Sequence, residues 1–227
     1  DLTEKINAQS WKFSEKTDDK YLNSLLRKRR LVLETASHKI KLLSEILSSK
    51  PRSELDYTLI YATDKEPRQL EEVNSILLKY DIPFHQITSE ETKDKAKTKE
   101  IIESFKRRQI QVLTAKRVLD EGVNIPEINQ AYILASTTVK RQWVQRRGRL
   151  LRKCKEIGKS HSIIHDFVTI PPIQDNETSL DEDLRKLVRS ELDRVWEFAR
   201  LSRNGSEKNG PYKKVEFLQK LANQLDI

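Results

Sequence analysis

A chain of 227 residues suffices for one α/β domain with helical additions, or for two small domains. Hydrophobic residues make up 36% and charged residues 34%, with a net charge of +8, so a core can form beneath a strongly ionic surface suited to an anionic partner, nucleic acid ahead of an acidic membrane. The single cysteine, Cys154, excludes a disulfide framework and a Cys-based zinc site and suggests a reducing, cytoplasmic setting.

In chain order, residues 1–20 are polar and without clear periodicity. The pattern then predicts a long amphipathic helix over 21–49, with Leu22, Leu25, Leu26, Leu33, Ile40, Leu43 and Leu47 near helical spacing around the basic run Arg27–Arg30. Lys50-Pro51-Arg52-Ser53 ends it. From Tyr57 onward strands and helices alternate. Tyr57–Ala62 reads as a buried parallel strand. A helix follows over Pro67–Tyr80, then a strand at Phe84–Ile87 and a charged helix over Thr92–Arg107. Ile110–Thr114 and Ala131–Ala135 are strands, Val139–Leu151 is a helix, and Ser162–Val168 is a last strand. This order predicts an α/β fold, a parallel sheet flanked by helices. After Pro171-Pro172, helices are expected over Leu180–Leu201 and Tyr212–Leu225, separated by Asn204-Gly205 and Asn209-Gly210-Pro211. No apolar run approaches the roughly 20 residues of a membrane span, so no membrane partner is expected. The sequence contains no methionine and begins at Asp1, so it is expected to be part of a longer polypeptide.

The chemistry concentrates in residues 140–155, KRQWVQRRGRLLRKCK, which hold eight basic residues and no acidic one. On a helix Gln145, Arg149 and Arg152 would share one face, flanked by Arg146 and Arg147. Gly148 permits close backbone approach, at about 1 kcal/mol of helix stability relative to Ala. Guanidinium groups pair with phosphate oxygens in a two-pronged fashion and stabilise charge on a transferring phosphoryl group. The same residues also read as a solvated basic face or a simple phosphate grip.

Gln145 to Arg152, QRRGRLLR, resembles motif VI, QRxGRxxR, of superfamily 2 helicases. Val118 to Pro126, VLDEGVNIP, resembles motif V one strand upstream; Thr58–Thr63 resembles the motif IV strand, and Phe105–Thr114 the step before motif V. The likeness runs from about Leu55 to Pro172 and is nearest the bacterial DEAD/DEAH, type III restriction-like group. It implies a RecA-like second motor lobe over 51–172, a helical segment over 1–50 joining a first lobe of the same polypeptide, and a helical extension over 173–227. It implies ATP with Mg²⁺, both held mainly by that first lobe. Arg149 and Arg152 would then be arginine fingers, with Gln145 near the γ-phosphate or the attacking water. Glu121, Gly122, Asn124 and Arg146 would line the nucleotide cleft. Asn124 replaces the more usual Asp, and Lys116 stands where many members have a Thr that contacts the nucleic-acid backbone.

By the same resemblance Thr63, Thr88, Ser89, Thr114 and Lys116 are the candidates for contacts with nucleic acid, DNA ahead of RNA, made to phosphates rather than base edges. The resemblance also implies that this chain alone does not hydrolyse ATP, since it contains no DExH box or P-loop. Gly158-Lys159-Ser160 is a turn, because the earlier glycine of a P-loop is replaced by Lys153. The histidines, His38, His85, His161 and His165, lack metal-ligand spacing, and no metal site is expected. His165-Asp166 is expected as a satisfied buried or edge pair, and Trp143 either anchors its helix or stacks on a base or guanidinium. Trp196 and Phe198 are expected as core anchors. The rival function is a stand-alone basic nucleic-acid-binding module without an ATPase role.

Overall fold

The computed structural model describes residues 35–63, 68–87, 93–116, 124–135, 140–170 and 182–223, together with Lys5, Tyr21, Ser24, Leu25, Lys28 and Leu31; residues 140–143, 146, 182 and 183 are described by backbone alone. Two compact units result, one of Asp18–Phe167 and one of Asp1–Thr17 with Val168–Ile227.

The first unit holds α1 (Ser37–Ser49), β1 (Thr58–Tyr61), α2 (Gln69–Lys79), β2 (Phe84–Ile87), α3 (Lys95–Lys106), β3 (Val112–Ala115), β4 (Gln130–Ile133), α4 (Lys140–Leu150) and β5 (Ile163–Asp166). The strands form one sheet in the order β2-β3-β1-β4-β5. Every pairing is parallel: Thr58 sits beside Val112 and Gln130, Phe84 beside Val112, and Gln130 beside Ile163. This is the parallel α/β sheet that the alternating pattern predicts. β1, β3 and β4 are buried along their whole length, as central parallel strands covered on both faces must be.

Helix α2 lays Leu70, Val73, Ile76 and Leu77 against Ile60, Val112, Tyr132 and Leu134 of the sheet layer, in one cluster with Leu43 and Leu47 of α1. Fully burying each such aliphatic side chain contributes about 1.5–3 kcal/mol. Two lysines fix α1 along β4. Lys39 Nζ donates to the Leu134 carbonyl at 2.8 Å, and Lys50 Nζ to Gln130 Oε1 at 2.9 Å. The start of α3 is set by Asp94, whose carboxylate accepts the backbone N–H groups of Ala96 and Lys97. That cap explains why the helix opens at Lys95 rather than Thr92. Gln130 joins β4 although polar, because its buried amide donates to Thr58 Oγ1 at 3.1 Å on the neighbouring strand.

Two expectations about side chains change. His165 lies flat on Tyr132, with ring centroids 4.5 Å apart and planes at 7°. Its Nε2 is buried without a hydrogen-bond partner, so this is a stacked ring rather than a satisfied polar pair. Burial, reinforced by the Lys50 charge, pushes its pKa down to about 4. The hydroxyl of Tyr132 is likewise buried and unpartnered.

The second unit pairs α5 (Glu182–Ala199) with α6 (Pro211–Asn223). Val188, Val195 and Ala199 pack against Val215, Leu218, Leu221 and Ala222. Arg194 is buried in α5 because both its terminal nitrogens meet the Glu191 carboxylate, at 2.8 and 2.7 Å. Trp196 is not the core anchor that its position in a helix suggests: it is 47% exposed. The helical spacing of the buried set passes it by, because Val195 and Ala199 occupy the inward positions. No helix among the described residues is long and apolar enough to cross a membrane.

Candidate functional site

Helix α4 ends at Leu150, so Arg152 does not share its face with Gln145 and Arg149 as the sequence spacing suggests. The chain tightens there: Leu151 N–H donates to Arg147 O at 3.0 Å and Arg152 N–H to Arg149 O at 3.4 Å. The turn sends the exposed Arg152 side chain toward the loop before β4, where Nη1 donates to Asn124 Oδ1. The basic segment and the segment upstream of it are thereby joined by a side-chain contact that spacing alone does not reveal.

Arg149 is half-buried, and its Nη1 is buried without a hydrogen-bond partner. A guanidinium nitrogen in that condition is costly unless an acceptor meets it. Gln145 is exposed on α4, and a Cβ at Gly148 would find nothing within 4 Å. The surface over this glycine is therefore open to a large ligand or to another domain. The side chain of Arg146 lies outside the described residues, as does that of Trp143, and Glu121 and Gly122 lie outside them altogether.

The residues expected at nucleic acid are spread more widely. Thr114 is fully buried, and its hydroxyl donates to Asn74 Oδ1 at 2.8 Å, toward α2 rather than solvent. Thr63 is buried just past β1; its N–H donates to Gln69 Oε1 at 3.1 Å and its carbonyl accepts from Leu70 N–H. Lys116 follows β3 at the carboxyl end of the sheet and is half-buried. Thr88 and Ser89 lie outside the described residues. Asn124 and Arg152 thus form one contact, whereas Thr63, Thr114 and Lys116 stand on or just after the strands.

Sequence reading passed over the residue that fastens this contact. Lys159, assigned to a turn, is 7% exposed. Its ammonium donates to the carbonyls of Pro126 at 2.9 Å and Leu150 at 2.8 Å, and to that of Ile128. It clamps the end of α4 to the loop entering β4, with Asn124 and Arg152 each two residues from a clamped carbonyl. Ser162 Oγ adds a second donor to Leu150 O at 2.6 Å. The turn forms because Gly158 takes φ +67° and the backbones of Cys154 and Lys159 bond in both directions. Burial pushes the Lys159 pKa down to about 8, against the opposing pull of Cys154 and Glu127. A lysine following a glycine gives no sequence signal of this, since exposed and buried lysines look alike.

Glu127, Cys154 and Glu156 bring three ligand-type atoms within 4.8 Å of one another. Lys106 Nζ lies 3.5 Å from Glu127 Oε1, while Glu127 Oε2 is buried without a hydrogen-bond partner.

Residues 38–154, just over half of the chain, match the family model described as the helicase conserved C-terminal domain. The chain belongs to that family. The match takes in strands β1 to β4 of the parallel sheet and helix α4. Over 60 residues it is 40% identical to the DNA 3'-5' translocase XPB2 of Sulfurisphaera tokodaii, a stretch covering 26% of this chain and 14% of the translocase. Among solved structures, the C-terminal part of the Fun30 ATPase domain aligns at 14% identity and a TM-score of 0.49, covering 84% of this chain and 54% of that one. The C-terminal domain of the DEAD-box protein Dbp5 aligns at 14% identity and a TM-score of 0.46, covering 72% and 82%. The helicase domain of Pyrococcus furiosus Hef aligns at 23% identity and a TM-score of 0.42, covering 74% and 34%.

Proposed function

We propose that this lobe is the second motor lobe of an ATP-dependent DNA helicase or translocase, completing a hydrolytic site whose phosphate cradle lies on a companion lobe. The observation that carries the reading is the buried, unpartnered Nη1 of Arg149 within the QRRGRLLR segment at the end of α4. A triphosphate oxygen is the acceptor such a donor lacks, so the residues present fit the nucleotide. Arg149 would hold its guanidinium ready for that oxygen. Asn124 accepts from Arg152 Nη1, so the second guanidinium is oriented before any ligand arrives. Gln145, exposed one turn earlier on α4, would reach the same region. Glu121, Gly122 and Arg146 are proposed for the cleft from their motif positions alone. ATP with Mg²⁺ supplies the free energy of phosphoryl transfer when bound. DNA is favoured as the track because the XPB2 relative is described as a DNA translocase.

The test is Arg149→Ala in the full-length protein. ATP turnover should fall by roughly 10³-fold or more, the usual effect of losing an arginine finger, while the variant lobe keeps its circular dichroism and thermal midpoint. Turnover within a few-fold of the unmodified protein would refute the assignment.

A further inference from the structure

The turn between α5 and α6 gathers features that the motor reading does not use. Trp196 is exposed, and its ring lies 5.8 Å from that of Tyr212, tilted by 51°. The turn is folded back tightly to hold the tyrosine. A Cβ at Gly205 would come within 2.8 Å of the Tyr212 ring, and one at Gly210 within 2.0 Å of the Asn204 carbonyl. Tyr212 N–H donates to the Gly205 carbonyl at 3.2 Å. The tyrosine ring is seated on a glycine, and the indole beside it remains open to solvent.

Charge surrounds this pair. Residues 200–214 contain Arg200, Arg203, Lys208, Lys213 and Lys214 against one acid, Glu207. Fifteen residues thus carry +4, half of the chain's net +8. Arg200 is held by Glu197, whereas Arg203, Lys208, Lys213 and Lys214 are exposed. An acidic protein would be attracted by the same charges but would give an open indole nothing flat to cover. A duplex would meet the charges but keep its bases stacked inside. A single strand satisfies both features at once: its phosphates meet the cations and a base lies on the ring.

We infer that the α5–α6 turn is a single-stranded nucleic-acid site, separate from the RecA-like lobe, with Trp196 as the stacking surface, Tyr212 as its support and Arg203, Lys208, Lys213 and Lys214 as the phosphate contacts. It binds without base preference, because every base offers a π face. Its occupation requires neither ATP nor the arginines of α4, so it stands or falls separately from the motor reading.

The experiment is fluorescence anisotropy of a labelled oligo(dT) strand titrated with the 227-residue chain, with a duplex of equal length alongside. Trp196→Ala should weaken single-strand binding roughly tenfold or more and leave duplex binding unchanged, whereas Trp196→Phe should recover most of the loss. The double variant Lys213→Glu/Lys214→Glu changes only exposed side chains, so it reports on the site even if Trp196→Ala loosens the hairpin. It should weaken single-strand binding and flatten its salt dependence. Equal single-strand affinity for the original chain and for both the alanine and glutamate variants overturns the proposal. So does an equal loss on single strand and duplex in Trp196→Ala. Self-association through this turn with oligo(dT) binding unaltered by the variants also overturns it, in favour of a protein interface.

Discussion

Replacing Lys159 by methionine tests whether the clamp beneath the arginines is electrostatic. The change removes an ammonium that donates to the carbonyls of Pro126, Ile128 and Leu150, and fills the same channel with an apolar chain of similar length. Hydrogen bonds from a charged donor contribute about 1.5–3 kcal/mol each. Leu150 O keeps Ser162 Oγ in the variant, so two carbonyls lose their partner. Against this stands the burial of a charge. The Lys159 pKa falls from 10.5 to about 8, a preference for the neutral amine of about 3 kcal/mol when protonated. The net loss at pH 7 is therefore small, on the order of 0–3 kcal/mol.

The informative quantity is how that loss changes with pH. Below pH 8 both folded and unfolded chains carry the proton, and the folded state bears the full burial penalty. Between pH 8 and 10.5 the unfolded chain binds more protons at this site than the folded chain, so stability rises with pH. The methionine variant lacks this contribution, and titrations of groups that do not act on Lys159 cancel in the difference. The stability gap between the original chain and Lys159→Met should widen by on the order of 2 kcal/mol from pH 7 to pH 10. Urea unfolding followed by far-ultraviolet circular dichroism at the two pH values measures it. A gap that stays constant or narrows would show that Lys159 is not buried as a charge, and the clamp would lose its physical basis.

Two further perturbations follow from single side chains. His165, with its pKa down near 4, is neutral in the fold at pH values where it is protonated in the unfolded chain; stability that is intact above pH 6.5 is lost as pH falls toward 4. Replacing it with Phe preserves a ring against Tyr132 and should flatten that acid limb in a thermal-shift series, whereas an unchanged limb refutes the assignment. Glycine substitutions should diverge in sign. Gly148→Ala meets open space in α4 and should raise stability by about 0.5–1 kcal/mol, while Gly210→Ala drives a Cβ onto the Asn204 carbonyl and should open the hairpin to limited proteolysis.

The parallel sheet was legible because its signal is local. Short apolar runs such as TLIY and VLTA alternate with helical stripes, and strands buried on both faces require such runs. The basic helix was legible for the same reason, its spacing and composition lying within one segment. The contact between Arg152 and Asn124 was hidden because it depends on where α4 stops. The stop is enforced by groups beyond the helix, Lys159 and Ser162, which both converge on Leu150 O. A helical projection that continues to Arg152 places that residue on the wrong face.

Trp196 and Thr114 show the same limit from opposite sides. An aromatic in an amphipathic helix is expected inside, yet Val195 and Ala199 take the inward positions and leave the indole in solvent. A threonine late in a strand is expected at a ligand, yet Asn74 on α2 reaches Thr114 first and turns its hydroxyl inward. In both cases residue type was read correctly and direction was not, because direction is set by which neighbouring element claims the space. Arg149 stands apart. Its motif position implies an acceptor from outside the chain, and its Nη1 is buried without a hydrogen-bond partner among the described residues. Whether ATP turnover depends on that donor is what the Arg149→Ala measurement decides.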